Sequence, residues 1–339
     1  MGKFLRSQSP ANPLCRRSIQ SSVRQSKLQK QAAEQTHLDN RQDLRFLLAG
    51  YYLDLFQLRN QERVYRKNIE QTHLLVKDMQ AAYQQGTALK SDITRYELQL
   101  QNLELGLTST INRLNVLNHQ LVTTIELPVE TRIVPDTLYL KQLIVDDLQE
   151  NEWKAGMNDA PSLKLTDIDI ALGKNQKRLI QAERLPHITF SATNDFNGPI
   201  LVEVPPLNNN FTYWFVGVGV SYNLDALFKS KRKLRQADIA IQRLEEKRRL
   251  AEEELENSIH KAYINLQEAY IRLRTQQKSV QLAHENFDIV RQRYMNGLAL
   301  ITDMLDASNT QLDMELQLAN YQVGILYQYF LLKRQIGTL

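Results

Sequence analysis

The sequence predicts a mainly α-helical protein: two repeated long coiled-coil α-hairpins with one β-hairpin between them. Three observations carry this reading: an internal repeat, apolar seams at helical spacing, and one sharply alternating run. The repeat shows at the stretch from Tyr294 to Asp303, which matches the stretch from Tyr83 to Asp92 at Tyr, Gly, Ala, Leu and Asp, an offset of 294 − 83 = 211 residues. Before the second stretch a 3-4 register runs from Leu234 through Ile259, Leu266 and Ala283 to Tyr294, interrupted only by Arg248 and Gln276. Moved back by 211 residues, its later part falls on Leu44, Leu48, Tyr51, Leu55, Leu58, Glu62, Tyr65, Ile69, Thr72, Val76, Met79 and Tyr83. All but Glu62 and Thr72 are apolar or aromatic, so the helical frame itself is repeated. The steps Ala251, Leu255 and Ile259 are two fours in succession, a stutter that locally unwinds a left-handed supercoil.

Taken in order, residues 1–17 are polar and basic with Pro10 and Pro13, and disorder is expected there. Residues 18–125 read as the first helical hairpin. Its ascending helix ends at Gln84, a length of roughly 100 Å at 1.5 Å per residue. Gly86 stops it, Ser91 or Asp92 is expected to cap the next helix, and Tyr96, Leu100, Leu103, Leu114 and Leu121 mark the descending seam. Residues 126–185 form a connector. It holds a short helical piece at Thr137–Gln149 and a helix opened by Asn158-Asp159-Ala160-Pro161 and stopped by Pro186. Residues 186–224 read as a β-hairpin with strands His187–Phe196 and Tyr213–Leu224 around a loop at Pro205–Asn210, and residues 225–339 as the second helical hairpin.

The second strand places Trp214, Val216, Val218, Val220, Tyr222 and Leu224 on one face and small or polar residues with Phe215 on the other. That pattern suits a barrel strand with lipid outside and water inside. It suits equally a soluble hairpin whose apolar face rests on helices.

Composition narrows the function. With 12 glycines and 9 prolines in 339 residues, long uninterrupted helices can dominate. A net charge of +4 does not call for nucleic acid. Cys15 is the one cysteine, which excludes an internal disulfide framework. No apolar run is long enough for a transmembrane helix, and the first residues lack the apolar region of a secretory signal. The histidines His37, His73, His119, His187, His260 and His284 are dispersed, and Gly217 and Gly219 fall inside a strand instead of at a phosphate-binding turn. No catalytic site, metal site or cofactor is therefore expected. The basic run from Lys229 to Arg235 reads as a solvated helix start, with anionic lipid headgroups as a conceivable partner.

The chemistry concentrates in the turns. Asp92 or Asp303 alone is accounted for as a first-turn carboxylate favoured by the helix dipole, worth under about 1 kcal/mol. That account omits Asp306, one turn further on the same face, and the tyrosine before each glycine. If several hairpins surround an axis, Asp303 and Asp306 form carboxylate rings at its narrowest point. At ~6 Å in water each like-charged pair costs only about 0.7 kcal/mol, and such a ring draws cations. Tyr294 is placed to reach Asp92 across neighbouring hairpin tips as a latch.

These residues resemble the TolC-like outer-membrane efflux family. The resemblance lies in Tyr294-x-x-Gly297, Asp303-Met304-Leu305-Asp306-Ala307, the helix with Leu312 and Ala319, the terminal Gly337-Thr338-Leu339, the Ala160-Pro161 helix start and the Leu185-Pro186 strand entry, and it covers roughly residues 18–339. It implies a homotrimer whose strands build one shared outer-membrane β-barrel and whose helices form an α-barrel tunnel through the periplasm. It also implies a periplasmic adaptor (membrane fusion protein) and an inner-membrane pump as partners, in efflux or type I secretion. Asp303 and Asp306 would be the pore constriction, Tyr294 and Asp92 the tip latch, Gly86 and Gly297 the adaptor-contact tips, and Trp214, Val216, Val218, Val220 and Tyr222 the lipid-facing strand. Ala299 stands where the family often has a basic residue. The offset also carries the strand pair at 187–224 back to −24 to 13, so the first repeat is expected to lack its strands and the chain to be truncated at its N-terminus. The alternative is a soluble or periplasmic coiled-coil adaptor or scaffold.

Overall fold

The computed structural model describes residues 5–8, 16–136, 149–197 and 209–339, so the helical piece expected at 137–149 and most of the expected loop at 205–210 lie outside the described residues. The elements in chain order are β1 (Leu5–Gln8), α1 (Arg16–Gln84), α2 (Lys90–Thr124), α3 (Glu150–Ala155), α4 (Pro161–Ala182), β2 (His187–Asn197), β3 (Phe211–Ser221), α5 (Leu224–Met295) and α6 (Ile301–Gln335). They fall into two units, Met1–Leu38 with Pro161–Glu253, and Asp39–Ala160 with Glu254–Leu339.

The first unit holds an antiparallel sheet in the order β1-β2-β3. The β2 and β3 register sets Ile188 against Val220, Phe190 against Val218 and Ala192 against Val216. Ile188, Phe190, Val216, Val218 and Val220 are all exposed, which leaves a continuous apolar face uncovered among the described residues. No helix among the described residues covers this face. Two expectations are corrected here. Disorder over residues 1–17 fails at Leu5–Gln8, which form β1 and pair with β2 from Leu5 opposite Phe196 to Gln8 opposite Thr193. The physical reason is that an edge strand offers a row of unpaired N–H and C=O groups to any extended chain, whatever its side-chain pattern. The second strand ends at Ser221 instead of Leu224, because Leu224 already opens α5.

Beside the sheet, α4 lies along α5 through charged pairs, Lys174 with Glu245, Lys177 with Asp238, and Asp167 with Arg248 at 2.7 Å, and Arg248 also pairs with Glu252 one turn on along α5 itself. Arg248, the charge that interrupts the apolar seam, is thereby accommodated. Such exposed pairs contribute about 0 to 1 kcal/mol each and act mainly on register.

The second unit holds the principal core. Trp153 of α3 is buried against Ile259, Ala262 and Leu266 of α5 and Ile325, Tyr329 and Leu332 of α6, with its ring edge-on to Tyr329 at 6.0 Å. Within α1, Leu53 and Phe56 pack on Val323 and Leu326 of α6, while Leu55 and Leu58 pack on Leu114 of α2. The helix therefore carries two apolar stripes, where the seam through Leu55 and Leu58 marks only one. A polar layer interrupts them. Glu315 of α6 is buried and accepts hydrogen bonds from Lys67 at 2.9 Å, Asn68 at 3.0 Å and His284 at 2.6 Å. Burial pushes the Glu315 carboxyl up, and the bonds from Lys67 and Asn68 outweigh it and hold the group below the usual carboxylate range.

Four helix ends stop in one way. At Gly86, Gly297 and Gly337 the backbone turns to φ of 75°, 71° and 77°, and the next amide reaches back five residues, as Thr87 N–H does to the Ala82 carbonyl at 2.9 Å. The position of Gly337 in the first repeat, 337 − 211 = 126, is a glutamate. Glu126 holds φ at 56°, the one non-glycine described with a positive φ, and the Leu127 amide bonds the Val122 carbonyl at 3.0 Å. Glu126→Gly is therefore expected to raise stability by up to about 1 kcal/mol in a thermal melt, since a side chain there costs on that order. Lys67→Met is expected to lower stability at neutral pH by about 1 to 3 kcal/mol. The contribution of Glu315 is present above its unfolded pKa and lost as pH falls through its lowered folded value. The variant should accordingly unfold at higher pH than the parent in an acid titration followed by circular dichroism.

Candidate functional site

The ends of α1, α2, α5 and α6 meet in one apolar cluster: Leu75, Val76 and Met79 from α1, Ile93 and Tyr96 from α2, Phe287, Val290 and Tyr294 from α5, and Met304 from α6. Each tip is a short glycine turn followed by a helix start of one design. The cap positions are Leu89 and Leu300, which correct the expected capping by Ser91 or Asp92. A leucine has no side-chain acceptor to offer. The aspartate three residues on serves instead: Asp92 Oδ2 accepts the Leu89 N–H at 3.4 Å, and Asp303 Oδ2 accepts the Leu300 N–H at 3.0 Å. Each carboxylate also sits in the first turn, where the helix dipole favours it.

The structure brings Tyr294 and Asp92 together. The Tyr294 hydroxyl donates to Asp92 Oδ2 at 3.1 Å and lies 3.3 Å from Met79 Sδ, so one phenol joins the second hairpin to the first within a single chain. Asp92 is buried by the contact, at 8% exposed. Burial, and then the neighbouring Asp92 charge, push the Tyr294 hydroxyl up to about 12. Its folded value lies above the ordinary 10, so the neutral donor is fully present below about pH 10 and is lost as pH rises towards 12. Tyr96, fully buried beside it, is also raised by burial and by Tyr294, and among the described residues its hydroxyl has no hydrogen-bond partner.

Asp303 and Asp306 are exposed on α6, and the structure brings neither into contact with Tyr294 or Asp92. Gly86 and Gly297 border a groove of about 530 Å³ together with Asp92, Tyr294, Leu89 and Leu300. The rim is apolar: Leu89, Leu298 and Leu300 are 68%, 68% and 69% exposed. Trp214, Val216, Val218 and Val220 lie exposed on β3, and Tyr222 follows the strand, also exposed. Among the described residues no cluster of metal-ligating side chains occurs, and no helix is long and apolar enough to cross a membrane. Sequence reasoning missed the Glu315 layer with His284. Glu315 stands as an acid in the otherwise largely apolar buried register of α6, but nothing in the sequence pairs it with Lys67, Asn68 or His284.

A family model described as outer membrane efflux protein matches residues 157–337. Among solved structures, the chain is similar to the outer membrane protein VceC of Vibrio cholerae, with a TM-score of 0.79 and 14% identity over 99% of this chain and 85% of that one. It is also similar to the MtrE outer membrane channel of Neisseria gonorrhoeae in its open state, with a TM-score of 0.78 and 14% identity over 99% and 75%. The Campylobacter jejuni CmeC outer membrane channel gives a TM-score of 0.76 and 12% identity over 100% and 76%. A comparison with curated proteins gave no match.

Tyr294→Phe and Asp92→Asn together should be less destabilising than the sum of the two single changes. A coupling of about 1 kcal/mol is expected for a partly exposed bond to a charged acceptor. Hydrogen exchange of the amides in the first turn of α2 reads it out, and strictly additive changes would show that the bond carries no energy.

Proposed function

The chain belongs to the outer membrane efflux protein family, whose members are outer-membrane channels reaching into the periplasm, and we propose that it is the passive duct subunit of a tripartite efflux or type I secretion system. In this reading three copies assemble, and their strands close one barrel in the outer membrane. The exposed face of Trp214, Val216, Val218, Val220 and Tyr222 meets lipid. The helical hairpins line a tunnel. A periplasmic adaptor docks at the tips around Gly86 and Gly297, where the exposed leucines supply apolar contact area. An inner-membrane pump provides the energy, and the subunit itself does no catalysis.

One observation supports the gate: the Tyr294 to Asp92 bond ties the two hairpin tips, while the first turns of α6 carry the exposed carboxylates Asp303 and Asp306. A hydrogen bond to a charged group contributes about 1.5 to 3 kcal/mol, less where water competes. That is strong enough to hold a tip closed and weak enough for a docked partner to break. Asp303 and Asp306 then act as the constriction. Their mutual repulsion is small in water and their combined field selects cations over anions.

Two variants in planar bilayers test this. Asp303→Asn with Asp306→Asn should reduce the cation-to-anion permeability ratio, read from the reversal potential in a salt gradient. Tyr294→Phe should raise the time spent in the conducting state. Unchanged selectivity in the first would remove the carboxylates from the constriction, and unchanged gating in the second would remove the latch.

A further inference from the structure

The internal repeat turns the tip contact into a statement about a second copy of the chain. The offset of 211 residues carries Tyr294 to Tyr83 and Asp303 to Asp92. Within one chain, the tyrosine of the second hairpin bonds the aspartate of the first. The same relation taken one step further needs a tyrosine from a following hairpin on the aspartate of the second. The described residues hold two hairpins, and the first hairpin of another copy is the one that can bring the matching tyrosine there. Resting on the duct reading, we propose that Tyr83 of the adjacent copy donates its hydroxyl to Asp303, so that every joint between hairpin tips around the ring is closed by one tyrosine and one aspartate.

The two halves of this joint are present and unused. Asp303 repeats the position of Asp92: third residue of its helix, one oxygen on the cap amide, in the first turn. What differs is cover, since Asp92 is buried under Tyr294 while Asp303 is exposed. Tyr83 is 47% exposed, and among the described residues its hydroxyl has no hydrogen bond. The donor and the acceptor stand on different hairpins and do not meet within the chain. A surface that offers a donor on one hairpin and its acceptor on the other makes a head-to-tail interface, the kind that closes into a ring. The surroundings repeat as well. Leu89 and Leu300 occupy matching positions after the glycines, and Met79, against which Tyr294 lies, is matched by the apolar Val290.

This separates the two constriction carboxylates. Asp303 is held by a neighbour at the joint, whereas Asp306 stays free to face the axis. It also gives the ring two kinds of joint, one within each chain and one between chains, which a partner can open independently.

The test is cross-linking in the full chain with Cys15→Ser. A phenol and a carboxylate in hydrogen-bond contact place their Cβ atoms too far apart for a disulfide, so a short bis-maleimide is the reagent. The pair Tyr83→Cys with Asp303→Cys should give covalent species of two and three chains, each single variant should give none, and Tyr294→Cys with Asp92→Cys should link within one chain, adding one reagent and joining no second chain. Wild-type protein fixed with glutaraldehyde is run alongside. Multimers with glutaraldehyde but none from the Tyr83 and Asp303 pair would overturn the proposal and leave the duct reading in place. Single chains in both would overturn the two together. If the cysteine pair fails to assemble, Tyr83→Phe and Asp303→Asn replace it in a double-mutant cycle on subunit dissociation in detergent. Non-additive loss supports the joint and additive loss overturns it.

Discussion

A helix of 69 or 72 residues, the lengths of α1 and α5, persists in water only if its apolar side is covered along its length. The rest of the structure follows from that requirement. In the second unit α1 meets it twice, on α6 through Leu53 and Phe56 and on α2 through Leu55 and Leu58. A helix with two apolar stripes cannot be satisfied by one hairpin partner. It needs a second neighbour, and the repeated hairpin supplies it. The proposed assembly of copies would extend the same logic to the outer faces.

The tips show how one sequence element acquires two roles from its surroundings. Asp92 and Asp303 arise from the same turn and perform the same local service, satisfying an amide that a leucine cap leaves open. One is covered by Tyr294 and becomes part of a joint. The other is exposed within its own chain. A duct that must stay shut against leakage yet open for cargo needs contacts of modest strength at its narrow end. A single phenol on a carboxylate is of that order, and its high pKa keeps the donor protonated throughout the physiological range.

The long helices, the two glycine turns and the approach of Tyr294 to Asp92 were legible because they rest on local chemistry and on repetition. Periodicity of apolar residues reports helices directly, and a repeat identifies the residues that recur at a turn. Four features were not legible. β1 is four residues with no alternation, held by backbone pairing to an edge that the sequence does not display. The leucine caps break the usual preference, and only the aspartate three residues later marks them. The buried Glu315 depends on Lys67, Asn68 and His284, which lie 248, 247 and 31 residues away and become neighbours only through the packing of three helices. The exposed apolar face of β3 was legible as a pattern, but its exposure was not; that depended on whether a helix covered it.

The central claim is that this chain works as an assembly of identical copies in the outer membrane, with two hairpins from each. The native mass of the protein extracted from outer membranes in mild detergent tests it most directly. A species of three chains is predicted. A single chain, or protein recovered only in the soluble fraction, would contradict the account.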